Sequence, residues 1–124
     1  MSKPALHASC HCGAVRLESD TWPSRVTSCN CSICRRYGAL WAYFTRQSAR
    51  LVAGASAVYA YVWGDRTIEF FHCKTCGCAS HYESIEKDPG SRFAINARML
   101  PPELIVDIRV RRFDGASSWR YLDE

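Results

Sequence analysis

The chain has 124 residues, of which 48% are hydrophobic and 23% charged, and it carries a formal net charge of +4. This length suits one globular domain with one modest core, so we expect residues 1–124 to form a single domain. No stretch reaches the roughly 20 apolar residues of a membrane helix. The arginines are spread from Arg16 to Arg120 without a clustered basic face, so we expect neither a membrane nor a nucleic acid as a partner.

The 8 cysteines are the exceptional feature of the composition. The residues before Cys10 lack the apolar run of a secretion signal, so we expect a cytoplasmic protein whose thiols stay reduced. Most of the cysteines lie one or two residues from another cysteine, which is too close for comfortable disulfide pairing. The same spacing lets neighbouring sulfurs bind one metal ion, so it favours metal binding over a disulfide framework.

The amino-terminal part of the chain predicts three short strands. Apolar residues alternate from Leu6 to Cys10 and again over 15–17, which predicts a hairpin with its turn at Cys10-His11-Cys12-Gly13. Residues 25–28 predict a third strand. This strand leads directly into a cysteine-rich loop, so we expect that loop at a strand end.

Residues 32–37 predict one helical turn, with Ser32 as its cap and Gly38 as its end. Most of the remaining segments alternate like strands or carry turn residues. The predicted strands are 41–45, 57–63, 67–72, 78–83, 92–97 and 105–110, and the predicted connections include 47–50 and 101–104. The sequence therefore predicts an all-β fold of two packed or tent-like antiparallel sheets, with metal sites at the strand ends.

Three cysteines fall within the six residues Cys29-Asn30-Cys31-Ser32-Ile33-Cys34. A short loop of this kind can place three sulfurs on one metal ion. Structural zinc sites normally have four protein ligands, whereas catalytic sites keep a position for water or substrate. The triplet therefore predicts an open site unless a fourth ligand arrives from elsewhere, and Arg35 and Arg36 can hold an anionic substrate beside it. The alternative is a closed zinc knuckle with two solvated arginines.

The cysteines outside the triplet form two pairs and one remainder, in the order Cys10, Cys12, Cys73, Cys76 and Cys78. Joining the two pairs gives a closed four-sulfur site and leaves the triplet open. Moving Cys78 to the triplet closes both sites instead, and spacing alone does not choose between these arrangements. His11 and His72 adjoin cysteines, but adjacent strand residues point to opposite faces, so we interpret both as neighbours rather than ligands.

These motifs together resemble the glutathione-dependent formaldehyde-activating family, whose best-known members are described as S-(hydroxymethyl)glutathione synthases. The resemblance spans nearly the whole chain, and the order and spacing of the cysteine groups carry most of it. The matching segments are Cys10-His11-Cys12-Gly13-Ala14-Val15, Cys29-Asn30-Cys31-Ser32-Ile33-Cys34-Arg35-Arg36, Cys73-Lys74-Thr75-Cys76-Gly77 and, more loosely, Ile95-Asn96-Ala97-Arg98-Met99-Leu100 and Phe113-Asp114-Gly115.

The resemblance implies a β-tent fold with one structural and one catalytic zinc, and a carbon-sulfur lyase or synthase activity. In that reaction the thiol of glutathione, or a similar thiol, adds to formaldehyde or another small aldehyde. The structural zinc would be bound by Cys10, Cys12, Cys73 and Cys76, and the catalytic zinc by Cys29, Cys31 and Cys34. By charge and position, the candidates for binding the carboxylates of glutathione are Arg35, Arg36 and Arg98.

Two other functions compete with this interpretation. The first is a zinc-stabilised binding module without catalysis, whose triplet is structural and whose partner meets the aromatic side chains Trp41, Tyr43, Tyr59, Tyr61 and Trp63. The second is thiol redox chemistry, which needs an exposed Cys78 with a lowered pKa.

Overall fold

The structure is a computed structural model, and it describes residues 5–123. The start of the chain, residues 1–4, on which the expectation of no secretion signal partly rests, lies outside the described residues. Two short helices, α1 (Cys34–Tyr37) and α2 (Pro102–Ile105), and a 3₁₀ turn (Ala97–Met99) accompany the strands. The described residues form β1 (Leu6–Ser9), β2 (Arg16–Ser19), β3 (Arg25–Cys29), β4 (Trp41–Thr45), β5 (Ala49–Ala53), β6 (Val58–Tyr61), β7 (Ile68–Cys73), β8 (Ala79–Ser84), β9 (Arg92–Asn96) and β10 (Arg109–Phe113).

The smaller sheet has three antiparallel strands in the order β1-β2-β5. The predicted hairpin of β1 and β2 is confirmed, with Ala8 opposite Leu17. The connection predicted at 47–50 is wrong, because β5 begins at Ala49. Small and polar residues obscure the alternation of buried and exposed positions at the start of this strand. Ala49 is buried, while Arg50 Nη1 lies 3.0 Å from Glu18 Oε1 on the neighbouring strand β2.

The larger sheet has seven strands in the order β10-β3-β4-β9-β8-β7-β6. All its neighbours are antiparallel except β10 and β3, which run parallel. The strand predicted at 105–110 is wrong in its bounds, because α2 occupies the start of that segment and β10 begins only at Arg109. Pro102 at the first helical positions, with its fixed φ, favours this short helix. The all-β prediction of two sheets is confirmed.

The main core lies between the two sheets. Its fully buried members include Leu6 and Leu17 from the smaller sheet and Val26, Ala42 and Ile95 from the larger one. Along β1 and β2 they alternate with more exposed residues, so the smaller sheet turns one apolar face towards the larger sheet. On β9, by contrast, the residues from Phe93 to Asn96 are all buried, because the larger sheet is covered on both faces there. The side chains that face each other from the two sheets are buried in one layer, which holds the smaller sheet over β3, β4 and β9.

The opposite face of the larger sheet is aromatic. Trp41, Phe70 and Tyr82 form a buried cluster, with the Trp41 and Tyr82 rings 4.8 Å apart in an edge-to-face arrangement. The burial of aromatic side chains ends at the edge strand β6, where Tyr59 and Tyr61 are 49% and 47% exposed. Of the aromatic residues proposed above for a partner surface, Trp41 is therefore a core residue and the others are exposed.

No helix among residues 5–123 is both long enough and apolar enough to cross a membrane.

The inter-sheet core can be tested with a matched pair of isoleucines. Ile95 on β9 is 0% exposed, whereas Ile85 just after β8 is 41% exposed. We expect Ile95→Ala to lower the free energy of unfolding by about 2–5 kcal/mol, because it leaves a cavity between the sheets. Ile85→Ala should change it by only about 0.5 kcal/mol. Chemical denaturation measures both, and equal losses would contradict the assignment of Ile95 to the core.

Candidate metal centres

The first centre joins two turns that are far apart in the sequence. Cys10 and Cys12 come from the turn between β1 and β2, whereas Cys73 ends β7 and Cys76 lies in the turn that follows. Their four sulfurs all lie within 4.8 Å of one another. The Cys12 sulfur is 3.7 Å from that of Cys10 and 3.6 Å from that of Cys73. A tetrahedral site with metal–sulfur bonds of about 2.3 Å has sulfur–sulfur edges of about 3.8 Å, so this cluster fits a metal of that size.

Backbone amides surround the sulfurs of this first centre. The amide of Val15 donates to Cys10 Sγ at 3.3 Å, and that of Thr75 donates to Cys73 Sγ at 3.4 Å. The amides of Cys78 and Cys12 lower the pKa of Cys76 to about 5. Such donors stabilise thiolate, which is the form that binds metal.

The second centre is the triplet, and the structure brings its three sulfurs within 4.8 Å of one another. Cys29 ends β3 and Cys34 begins α1, so the loop between them turns back as predicted. Gly38 ends α1 in the left-handed region at φ 63°, also as predicted. The prediction of Ser32 as the cap is wrong, because the cap position is Ile33 and no side chain caps the helix.

The thiols of the triplet have divergent acidities. A hydrogen bond from Cys34 is the main reason that the pKa of Cys29 falls to about 6. Because the Cys34 thiol is the donor in this hydrogen bond, the same contact raises the pKa of Cys34, and burial raises it further. The Cys34 sulfur also accepts a hydrogen bond from Trp41 Nε1 at 3.4 Å. The contact between Cys29 and Cys34 thus favours thiolate at Cys29 and thiol at Cys34, and a cation bound between them would favour thiolate at both.

The structure decides where Cys78 lies. Its side chain is half-buried against the first centre, in a small core with Cys10, Cys73 and Cys76. It belongs to neither metal-sized cluster among the described residues. Although the His11 backbone hydrogen-bonds to its sulfur, burial and the neighbouring Cys76 raise the pKa of Cys78. A fourth ligand for the triplet and a reactive low-pKa thiol are therefore both disfavoured for this residue.

The carboxy-terminal segment packs against the triplet, which the sequence analysis did not foresee. Asn30 donates to Asp114 Oδ1 at 3.0 Å and accepts from the amide of Ala116 at 3.0 Å. Gly115 lies so close that an added Cβ would be 2.6 Å from Cys29 Sγ and 3.3 Å from Cys31 Cβ. The loop after β10 is therefore fitted onto the triplet loop, and only glycine leaves room at position 115.

A cavity of about 420 Å³ opens at the triplet. Of the three arginines predicted to bind carboxylates, Arg35 and Arg98 line it. Arg36 does not: its Nη1 donates to the carbonyl of Ser32 at 2.6 Å, and it lines a neighbouring cleft beside Cys78. Gly38 and Arg98 line both the cavity and this cleft. Lining residues that sequence reasoning missed are Arg112, Phe113 and Leu122. Arg112 and Phe113 reach the site because β10 pairs with β3 in parallel, with Phe113 opposite Cys29. Leu122 is held there by the hydrogen bond from its amide to the carbonyl of Arg112.

A hydrogen bond links the two centres through the protein. The hydroxyl oxygen of Tyr37, the last residue of α1, lies 2.7 Å from His72 Nε2. Burial lowers the pKa of His72 and raises that of Tyr37 to about 12, so both groups favour their neutral forms in this hydrogen bond. His72 immediately precedes Cys73 of the first centre, and α1 carries Cys34 of the second.

The fold and these sites define a class: an all-β protein with two cysteine clusters that can hold metal ions, one of four sulfurs and one of three. The sequence model of the family described as "Glutathione-dependent formaldehyde-activating enzyme" matches residues 5–103. The chain belongs to this family, and the resemblance drawn from the cysteine motifs is confirmed.

A solved structure with the same fold is the crystal structure of a protein from Rhodobacter sphaeroides. The two superpose with a TM-score of 0.69 at 29% sequence identity, over 85% of this chain and 99% of that chain.

The four-sulfur centre can be tested by substituting Cys76, with a substitution of the nearby Cys78 as the matched control. We expect Cys76→Ser to bind one metal ion fewer than the parent and to unfold at lower temperature, because the hydroxyl is a poor replacement for a thiolate ligand. Cys78→Ser should keep both the metal content and the stability. Metal analysis and circular dichroism measure these quantities. A parental melting temperature in Cys76→Ser, or in parent protein fully stripped by a chelator, would show that this centre is not structural.

The fit of the carboxy-terminal loop onto the triplet can be tested at Gly115. A methyl group there would collide with the Cys29 sulfur, so we expect Gly115→Ala to lose metal from the triplet while keeping the first centre. The matched control is Gly90→Ala, where an added Cβ meets nothing within 4 Å. Metal stoichiometry after dialysis distinguishes them. Full metal content in Gly115→Ala would show that this loop does not constrain the triplet.

Proposed function

We propose that the protein is a zinc-dependent carbon-sulfur lyase or synthase that adds glutathione, or a similar thiol, to formaldehyde or another small aldehyde. The observation that carries the proposal is the triplet. Its cluster has three sulfurs and no fourth ligand among residues 5–123, and it opens into a cavity lined by arginines. Family membership supports glutathione and formaldehyde as the substrates. Cys29, Cys31 and Cys34 would form the catalytic site, and Cys10, Cys12, Cys73 and Cys76 the structural one.

The chemistry is an addition without oxidation or reduction. A zinc ion held by the triplet would supply a free coordination position and lower the pKa of a thiol that occupies it. The substrate sulfur then forms a bond to the carbonyl carbon of the aldehyde, the carbon–oxygen π bond breaks, and the oxygen takes up the proton that the thiol lost. The product is an S-hydroxymethyl thioether. Cleavage runs through the same steps in reverse.

The donor set favours the thiol over the aldehyde as the group that is activated. Three thiolates more than balance the charge of a divalent ion, which makes the site a weak polariser of carbonyl oxygen. Their negative charge is partly offset by Trp41, which donates to Cys34, and by the backbone amides of Cys31 and Gly115 at Cys29. Of the three thiols, Cys29 is the one whose pKa these contacts hold below its usual value.

The walls of the cavity would bind and orient the rest of the substrate. Arg35 and Arg98 form no ion pair with any acidic residue in the described part of the chain. Among residues 5–123 no aspartate or glutamate lines the cavity, whereas three arginines do, so these side chains favour an anionic ligand. Leu40 and Phe113 supply apolar surface beside the sulfurs, which limits the access of water to the reacting thiol.

A binding module without catalysis remains the second candidate, and exposed aromatic residues on β6 favour it. Tyr59 and Tyr61 lie on the edge strand of the larger sheet with about half of their surface exposed. That candidate was tied to a closed triplet with Cys78 as fourth ligand. Since Cys78 lies at the other centre, the argument for a purely structural triplet is weaker.

The proposal is tested by following the exchange between glutathione and its hydroxymethyl adduct by nuclear magnetic resonance with ¹³C-formaldehyde. The zinc-loaded protein should raise the exchange rate above the spontaneous rate. Cys29→Ser should abolish the increase, because it removes one ligand of the triplet, whereas Cys78→Ser should keep it. No increase with the parent protein, at a verified content of two zinc ions, would overturn the proposed activity and favour the binding module.

A further inference from the structure

We propose that Arg112 is a specificity-determining residue that binds one end of a dicarboxylate thiol, whose other end reaches Arg98 on the opposite side of the cavity. The inference rests on the proposed function, since it takes a thiol as the ligand of the triplet. It goes further by assigning the two carboxylate sites, one of them to a residue outside the cysteine motifs. Arg112 lies outside residues 5–103, the part of the chain that the family comparison covers.

The topology of the larger sheet places the two arginines on opposite walls. Arg112 lies on the edge strand β10, and Arg98 lies in the 3₁₀ turn that follows β9. Between β10 and β9 the sheet order is β3 and then β4. Three steps between neighbouring strands amount to about 14 Å. Both side chains nevertheless line the same cavity, so the cavity spans the width between them.

The triplet lies between these two walls. Cys29 ends β3, which is the strand next to β10, and Cys34 follows it in the chain at the start of α1. Both cysteines line the cavity together with the two arginines. A ligand that fits this arrangement has its thiol in the middle and an anionic group at each end. Glutathione is such a molecule, because its cysteine is flanked by two residues that each carry a free carboxylate.

Each arginine is held in place while its charge stays available. Arg98 donates through Nε to the carbonyl of Gly38 at 3.2 Å, which leaves its two terminal nitrogens for a ligand. The backbone carbonyl of Arg112 accepts from the amide of Leu122 at 2.8 Å, so the end of the chain holds this part of β10 at the cavity. Neither side chain forms an ion pair with an acidic residue within 5–123. Planar guanidinium groups suit carboxylates because they can donate two parallel hydrogen bonds.

The test compares the binding of glutathione, its monoethyl ester and its diethyl ester to zinc-loaded protein by titration calorimetry. For the parent, affinity should fall in two steps of about tenfold, one for each carboxylate that is masked, because each loses a charge-assisted hydrogen bond. Arg112→Gln should bind glutathione about tenfold more weakly. It should also lose one of the two steps, because esterifying the carboxylate that Arg112 binds should no longer lower the affinity. Arg98→Gln should lose the other step. A mere structural role of either arginine would weaken all three ligands alike.

Two further variants serve as controls. Arg109→Gln removes the same charge from the same strand, but Arg109 does not line the cavity, so it should keep both steps. Arg112→Lys retains the positive charge and should keep the step that Arg112→Gln loses, at reduced size. Zinc content is measured for every variant, so that a loss of metal is not mistaken for a loss of carboxylate binding.

The outcomes separate this inference from the proposed function. If Arg112→Gln keeps both steps, or if both glutamine variants lose the same step, the two-ended arrangement is wrong whatever the catalytic result. It is also wrong if the parent binds all three ligands equally. If the two steps are lost as expected but the parent does not accelerate adduct exchange, the arrangement stands and the proposed activity falls.

Discussion

The contact between Cys12 and Cys73, whose sulfurs are 3.6 Å apart across 61 positions of sequence, is the constraint on which the rest of the structure depends. It joins the turn of the smaller sheet to the end of β7 in the larger one. Closing a loop of this length costs little more than closing a short one, about 0.6 kcal/mol per doubling. Metal binding by four cysteines can contribute on the order of 10 kcal/mol. A bound metal at this centre would therefore outweigh the entropy of holding the two sheets together.

The two centres differ in the number of ligands that they offer to a metal. Four sulfurs complete the coordination of a tetrahedral metal, so a metal bound at the first centre would stabilise the fold. Three sulfurs leave room for a ligand, but they also leave a loop that is less constrained. The chain compensates with its own contacts: Tyr37 ties α1 to His72, Trp41 binds the Cys34 sulfur, and Asn30 binds the loop that begins at Asp114.

The sequence predicted the features that short spacing determines. Cysteines separated by two or three positions must lie together whatever the rest of the fold does, so the triplet, each of the two pairs and their strand-end positions followed from the pattern. That the two pairs join in one four-sulfur cluster did not follow from spacing. Cys78 could not be assigned, because two arrangements satisfied the same spacing. Arg112 was missed because it reaches the triplet only through a parallel pairing of β10 with β3, between segments more than 80 positions apart. No local periodicity reports such a pairing.

The same parallel pairing makes the candidate site depend on the end of the chain. The amide of Asn30 donates to the carbonyl of Phe113, and its side chain binds both Asp114 and Ala116, so the triplet loop and the carboxy-terminal loop are held to each other at three points. Gly115 brings the second loop to the sulfurs without a side chain between them. The cavity consequently has its second wall only when this segment is in place. Residues far from the cysteine motifs therefore shape the cavity at the triplet, and under the proposed function they would help to determine which thiol binds there.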